Sequence, residues 1–270
     1  MEAARIAALR GHEVMLYAKE YRHGGLLPLA ALVKGIEIED YPALVRYFET
    51  QLTKLGVDVR LGREVEPSLI EEIKPDVVIL ATGGKLLVPE IPGINRKNVV
   101  TSMALHRQVN MPLRLFGPRL LRWITKLWMP IGKRVIIVGG LMHGCELAEF
   151  LVKRGRKVTV LEASNQLGTG IIERTRIRLL NWLARKGATM LTGVRFEEIT
   201  AKGISITTKE GERRSIEADT ILVITPPVPN SELFTALKGR VPEVHMIGDC
   251  KEPHSVLEAI ADGFRIGHTI

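Results

Sequence analysis

The sequence predicts an α/β protein of two three-layer units, the second inserted in the first, and three observations carry that prediction. Short β-branched apolar runs, among them Val135–Val138, Val158–Leu161 and Asp76–Leu80, read as buried strands. Amphipathic stretches closed by glycine lie between such runs. A helix-then-strand order also occurs twice, at Glu2–Tyr17 and at Cys145–Leu161.

The most informative stretch is RVIIVGGLMHGCELAEFLVKRGRKVTVLE, Arg134–Glu162. Its first strand, Val135–Val138, runs into Gly139, Gly140 and Gly144, which form a tight turn into a helix predicted over Cys145–Arg154. Gly155 stops that helix, and Val158–Leu161 is a second strand ending in the acid Glu162. Strand, glycine turn, helix, strand and acid in this order make a βαβ unit with a dinucleotide fingerprint at its first turn. Glycines admit a pyrophosphate close to the backbone, a helix N-terminus offers N–H groups and positive dipole, and Glu162 can hold ribose hydroxyls. Leu141 breaks the pattern by standing where the fingerprint's middle glycine belongs. A left-handed backbone there would cost about 1–2 kcal/mol. The competing reading is a βαβ unit that keeps its fold and binds nucleotide poorly or not at all.

At 270 residues the chain is long enough for one large or two ordinary cores. No apolar run reaches the length of a membrane span, and the N-terminus has no signal-peptide pattern. Cys145 and Cys250 imply no disulfide framework and fit a reducing compartment, so a cytoplasmic protein is expected. The net charge of +8 favours anionic ligands. No recognition motif accompanies it, so nucleic acid is not an expected partner. No metal site is expected.

In chain order, Met1–Arg10 is an alanine-rich helix ended by Gly11, and Glu13–Tyr17 is a strand. A loop with Gly24-Gly25 leads to a helix over Ile38–Leu55, whose apolar Leu44, Val45, Phe48, Leu52 and Leu55 keep helical spacing. Val57–Leu61 is a strand and Pro67–Ile73 a short helix. Strand Asp76–Leu80 ends in Ala81-Thr82-Gly83-Gly84, small residues that suit close approach of a ligand, although Thr82-Gly83 equally fits a plain turn. Lys85–Gly93 is a proline-bearing connector.

Pro112–Pro130 is basic without a single acid, and Leu120, Leu121, Ile124, Leu127 and Trp128 can form one helix face. Docking on another domain is the expected role, with a membrane surface or an acidic ligand as alternatives. A helix over Ile177–Ala184 and a strand over Ala188–Leu191 precede a meander of Val194–Ile199, Ile204–Thr208 and Arg213–Ile216. Ile221–Ile224 and Val244–Ile247 are strands; the latter leads into Gly248-Asp249-Cys250 and a terminal helix, Ser255–Gly267. The expected division is residues 1–102 with 241–270, a basic connector over 103–130, and an inserted domain over 131–240.

Four stretches, MEAARIAALRGHEV, ILATGGKLLVPEIPG, VIIVGGLMHGCELAEFL and MIGDCKEPHSVLEAIADGF, jointly resemble the two-dinucleotide-binding flavoproteins. In that fold a Rossmann-like nicotinamide domain interrupts a Rossmann-like flavin-adenine domain. The resemblance is closest to the C-terminal half of the Old Yellow Enzyme-like NADH:flavin oxidoreductases, the group of 2,4-dienoyl-CoA reductase and trimethylamine dehydrogenase. It implies an FAD/NAD(H)-binding module of a flavin-dependent oxidoreductase that passes reducing equivalents from NADH to flavin. It makes Gly139, Gly140, Gly144 and Glu162 contacts of NAD(H). It places Thr82 and Gly83 near FAD, and Gly248 and Asp249 where ribityl or ribose hydroxyls arrive. It assigns no catalytic side chain. The implied partner is an upstream or separate flavin/iron–sulfur barrel domain or subunit.

Besides Leu141, there are two departures from that group. The first glycine loop and its strand, which would precede the Met1 helix, are missing, so the chain is expected to be a fragment or half of a split protein, with FAD held weakly or lost. Ala18 stands where the group has an acid for the adenine ribose. The disulfide-reductase branch is not an expected close match, because no two cysteines lie close in sequence. The reading from another class is an ADP-binding or structural docking module without redox activity.

Overall fold

A computed structural model describes residues 1–34 and 40–270. Their contacts gather into two compact units, residues 1–28, 40–85 and 227–270 in one and residues 29–34 and 86–226 in the other.

The first unit opens with α1 (Glu2–Leu9) and β1 (Met15–Ala18). The chain leaves it through α2 (Leu27–Val33), a seven-residue helix where the sequence predicts only a loop. Seven residues are too few for apolar periodicity to register, and burial of Ala31 and Leu32 defines it instead. Back in the first unit come α3 (Asp40–Lys54), β2 (Asp58–Leu61), α4 (Pro67–Ile73) and β3 (Val77–Leu80). The predicted start of α3, at Ile38, lies outside the described residues. β4 (Lys85–Leu86) marks the crossing to the second unit.

There follow β5 (Val99–Thr101), α5 (Ser102–Leu127), β6 (Arg134–Val138), α6 (Met142–Val152), β7 (Lys157–Leu161), α7 (Glu173–Arg185) and β8 (Thr189–Leu191). The meander is β9 (Arg195–Thr200), β10 (Gly203–Thr207) and β11 (Arg213–Glu217), and β12 (Thr220–Val223) returns to the main sheet. That sheet is parallel throughout, in the order β5-β12-β6-β7-β8. Its strands are covered on both faces, which is why they read as unbroken apolar runs. Alternate residues feed opposite sides. Val135 and Ile137 pack with Leu147, Leu151 and Leu183 of the helices, whereas Ile136 and Val138 pack with Ile199, Ile204 and Ile206 of the meander.

α5 is longer than the predicted Pro112–Pro130 segment. Thr101 caps it by accepting from Ala104 N at 3.3 Å, and Gly117, at φ 67° and ψ 168°, kinks it between Pro112 and Pro118. A proline ring removes a helical hydrogen bond and crowds the preceding turn, which glycine can absorb.

The chain re-enters the first unit at β13 (Pro227–Val228), followed by α8 (Glu232–Leu237), β14 (Glu243–Met246) and α9 (Val256–Thr269). Ser255 and Glu258 form a capping box at the start of α9. α9 lies against α1 so closely that a Cβ on Gly267 would stand 2.7 Å from Ile6 Cβ. β1 pairs parallel with β2, and β14 parallel with β3. Leu237 of α8 joins Ile70, Val78, Leu80 and Cys250 in one core. Residues 86–102 therefore go with the second unit, because β5 pairs with β12, and residues 227–240 with the first. Both assignments differ from the division predicted at residues 102 and 241.

Candidate nucleotide-binding sites

In the second unit the β6–α6 turn brings Gly139, Gly140, Gly144 and Glu162 together. A Cβ on Gly144 would lie 1.8 Å from Gly139 O, so only glycine lets the first turn of α6 rest on the strand end. Gly139 has φ 102°, and a Cβ there would meet Ile224 O at 2.0 Å. On Gly140 a Cβ would strike Leu167 Cδ2 at 2.3 Å. Gly139 and Gly144, which meet backbone oxygen, are thus required by packing before any ligand arrives, whereas at Gly140 the end of the Leu167 side chain is what would have to shift.

Glu162 is buried, and its carboxylate is tied to the turn. Oε2 accepts from Gly140 N at 2.6 Å and Oε1 from Ser164 N at 2.8 Å. Each oxygen keeps accepting capacity for a hydroxyl. The acid therefore sets the shape of the glycine turn and stands ready beside it.

Leu141 is the N-cap of α6 at φ −70° and ψ −167°, an extended conformation open to any residue. The left-handed cost anticipated for it does not arise. The loop after β7 crosses the same turn: Gly168 N donates to Gly140 O at 2.8 Å and Met142 N to Thr169 O at 3.0 Å. One of the N–H groups at the start of α6 is therefore already used. Cys145 Sγ donates to Gly140 O at 3.1 Å, and burial pushes its thiol up to about 11. His106 is lowered below the usual imidazole value, first by burial and then by nearby His143.

In the first unit, β3 and β14 pair with Leu80 opposite Met246, and Ile247 N donates to Leu80 O at 3.0 Å. Thr82-Gly83 and Gly248-Asp249 therefore leave the same carboxyl end of one ladder, where open α/β sheets hold their ligands. Gly83 has φ 77°, and a Cβ there would meet nothing within 4 Å, so the backbone can be approached from that side. Gly248 N donates to Asp262 Oδ2 at 3.0 Å, which ties the turn to α9. That hydrogen bond is the main cause holding the Asp262 carboxyl below its usual range. Asp249 Oδ1 accepts from His254 N at 3.3 Å.

All eight predicted residues thus fall into two clusters, four in each unit. Ser164, Asp262 and the 167–169 loop were not anticipated. Ser164 contributes through its backbone N–H and Asp262 lies mid-helix, and neither arrangement leaves a pattern in sequence.

A parallel sheet with a glycine turn wired to a strand-end acid in one unit, and a second carboxyl-end cluster in the other, define a dinucleotide-binding α/β module. Residues 1–263 match the pyridine nucleotide-disulphide oxidoreductase family, and the chain belongs to it. It is a redox module for FAD and NAD(H). It is 29% identical over 275 residues to the NADH oxidase of Thermoanaerobacter brockii, covering 100% of this chain and 39% of that protein. A 2-naphthoyl-CoA reductase, solved with 2-naphthoyl-CoA, superposes at a TM-score of 0.83 with 30% identity, over 100% of this chain and 38% of that one. The thioredoxin reductase of T. acidophilum shares the fold, with a TM-score of 0.70 at 17% identity over 99% of this chain and 92% of that one. The chain thus spans about two-fifths of the first two relatives.

Proposed function

We propose that this chain is the FAD/NAD(H)-binding part of a larger Old Yellow Enzyme-like NADH:flavin oxidoreductase, passing reducing equivalents from NADH to flavin. The observation that carries the reading is the tie between Glu162 and Gly140 N, which puts the acid and the glycine turn in one rigid arrangement. In the second unit Gly139, Gly140, Gly144 and Glu162 receive NADH: the glycines let a pyrophosphate close to the turn, and the carboxylate accepts from ribose hydroxyls. In the first, Thr82, Gly83, Gly248 and Asp249 receive FAD, with Asp249 accepting from sugar or ribityl hydroxyls. Hydride transfer is the chemistry the cofactors supply when bound; the chain's residues position them, and no protein acid or base is assigned.

The NADH oxidase and the 2-naphthoyl-CoA reductase support this reading, as does the two-fifths of their length that the chain covers. The remainder of such a protein, a flavin/iron–sulfur barrel domain or subunit, is the proposed partner. A reading without redox activity draws on one observation, the Met142 N–H spent on Thr169 O, which weakens phosphate binding at α6.

Absorption of the purified chain, before and after incubation with FAD, tests the proposal. A yellow protein whose colour is bleached by NADH under anaerobic conditions is expected. Asp249→Ala should reduce the flavin spectrum, and Glu162→Ala the bleaching alone. A chain that takes up no FAD and does not bind NADH would exclude the redox reading.

A further inference from the structure

From Ile91 to Cys145 the chain carries nine Lys and Arg and no Asp or Glu, while the net charge of the whole is +8. The remainder is close to neutral, so the positive surplus is local. At its centre lies α5. The inward side of its second half is committed. Leu121 is buried, Arg122 donates to the carbonyls of Leu32 and Lys34, and Arg154 donates to Arg122 O at 3.1 Å and Thr125 Oγ1 at 3.0 Å.

The outward side is apolar too. Leu120, Trp123 and Leu127 follow i, i+3, i+7 spacing and share one face. Trp123 is 58% exposed, Leu127 72%, and Trp128 at the helix end 69%. Ahead of the Gly117 kink, Met111 and Leu115 are 70% and 72% exposed. A helix resting on its own protein ordinarily turns polar groups to water, so a second apolar side calls for something to cover it.

We infer that the outward face of α5 binds an anionic lipid surface, with the helix lying in the interface plane and Trp123 and Trp128 at headgroup depth. Charge complementarity selects the occupant. Arg107 and Lys126 are exposed on this helix, and the segment from Ile91 to Cys145 contains no acid. Tryptophan, apolar in body and polar at one edge, suits the headgroup boundary. Leu120, Trp123 and Leu127 are strung along the second half of the helix in a strip, as in interfacial helices, rather than gathered in the compact centre of a protein interface. A second copy of the chain would bring like charges face to face. Among the described residues no helix is long and apolar enough to cross a membrane, so the contact is peripheral.

Co-sedimentation of the purified chain with vesicles, at physiological salt, tests the inference. Vesicles of phosphatidylcholine with roughly one third phosphatidylglycerol should carry the chain down at least about tenfold better than phosphatidylcholine alone. Trp123→Ser combined with Leu127→Ser should lower that binding by about tenfold, with thermal unfolding unchanged because both side chains face water. Should that variant fold poorly, Lys126→Glu with Arg107→Glu is the second arm, and it should lower binding to the anionic vesicles. Tryptophan fluorescence should shift to the blue on the anionic vesicles only. No sedimentation with anionic vesicles overturns the inference, and so does binding that neither pair of substitutions weakens. If instead the chain is a dimer that the Trp123/Leu127 variant dissociates, and vesicles do not bind, the face is a protein interface and the inference is wrong.

Discussion

At Glu162 the carboxylate is held by two backbone N–H groups, at the position proposed above to meet an adenosine ribose. A fixed negative charge there repels a 2′-phosphate, and Ala163-Ser164-Asn165-Gln166 bring no cation to welcome one. Arg176 is an ion-pair partner of Glu173, at 4.0 Å. NADH should therefore bind more tightly than NADPH, which calorimetric titration of both will decide; tighter NADPH binding would contradict it. Leu141 carries no left-handed strain, so the proposed obstacle is its bulk, and glycine is a better N-cap than leucine. Leu141→Gly should tighten NADH binding by about tenfold, roughly 1.4 kcal/mol. An unchanged dissociation constant would show that the side chain already points away from the cofactor. Cys145, with its thiol pushed up to about 11, has almost no thiolate near neutrality. It should resist maleimide at pH 7 until the protein is unfolded, and fast native labelling of Cys145 would mean that the turn opens.

Between elements, Arg154 is the seam that joins α6 to α5. It donates to Thr125 Oγ1, Phe150 O and Arg122 O, and its guanidinium lies 3.3 Å from the Phe150 ring centroid. Burial, and then Arg122, lower its pKa to about 10, which still leaves it charged at pH 7. Arg154→Met keeps the bulk and removes three donated hydrogen bonds, so urea unfolding should show a loss of about 2–3 kcal/mol. A loss within about 0.5 kcal/mol would mean that α5 is held by its apolar side alone. The sequence showed the amphipathic stretch around Pro112–Pro130 but not its kink, since proline predicts a break and only the Gly117 conformation continues the element past it. The glycine turn was the opposite case, because its residue types and spacing are dictated by backbone crowding that any such turn must meet.

For the whole molecule, acid is the sensitive direction. Asp262 is lowered by the Gly248 N–H, Asp219 by hydrogen bonds from Arg134, and Glu258 by the Ser255 capping box. A carboxyl whose native pKa lies below its unfolded value stabilises the fold above the unfolded value. That contribution is lost as pH falls through the native one. Melting temperature should therefore hold near neutrality and drop below about pH 4, the ordinary range of free carboxyls. Asp262→Asn should flatten part of the drop. A melting temperature constant down to pH 3 would contradict the assignment.

The sequence by itself determined the α/β class, the inserted order of the two units, and which turns gather small residues and acids. These rest on local physics: strands buried on both faces need unbroken apolar runs, and a strand meeting a helix at close range needs glycine. It could not say that Val99–Thr101 belongs to the second sheet, because three residues acquire strand character only from the partner they pair with. Nor could it say that the loop at Thr169 takes a helix N–H, that Asp262 anchors Gly248, or which side of α5 faces water. Each of these is a meeting of residues distant in the chain. The tertiary structure decided them, because hydrogen-bond partners and exposure depend on what surrounds a residue once the chain is folded.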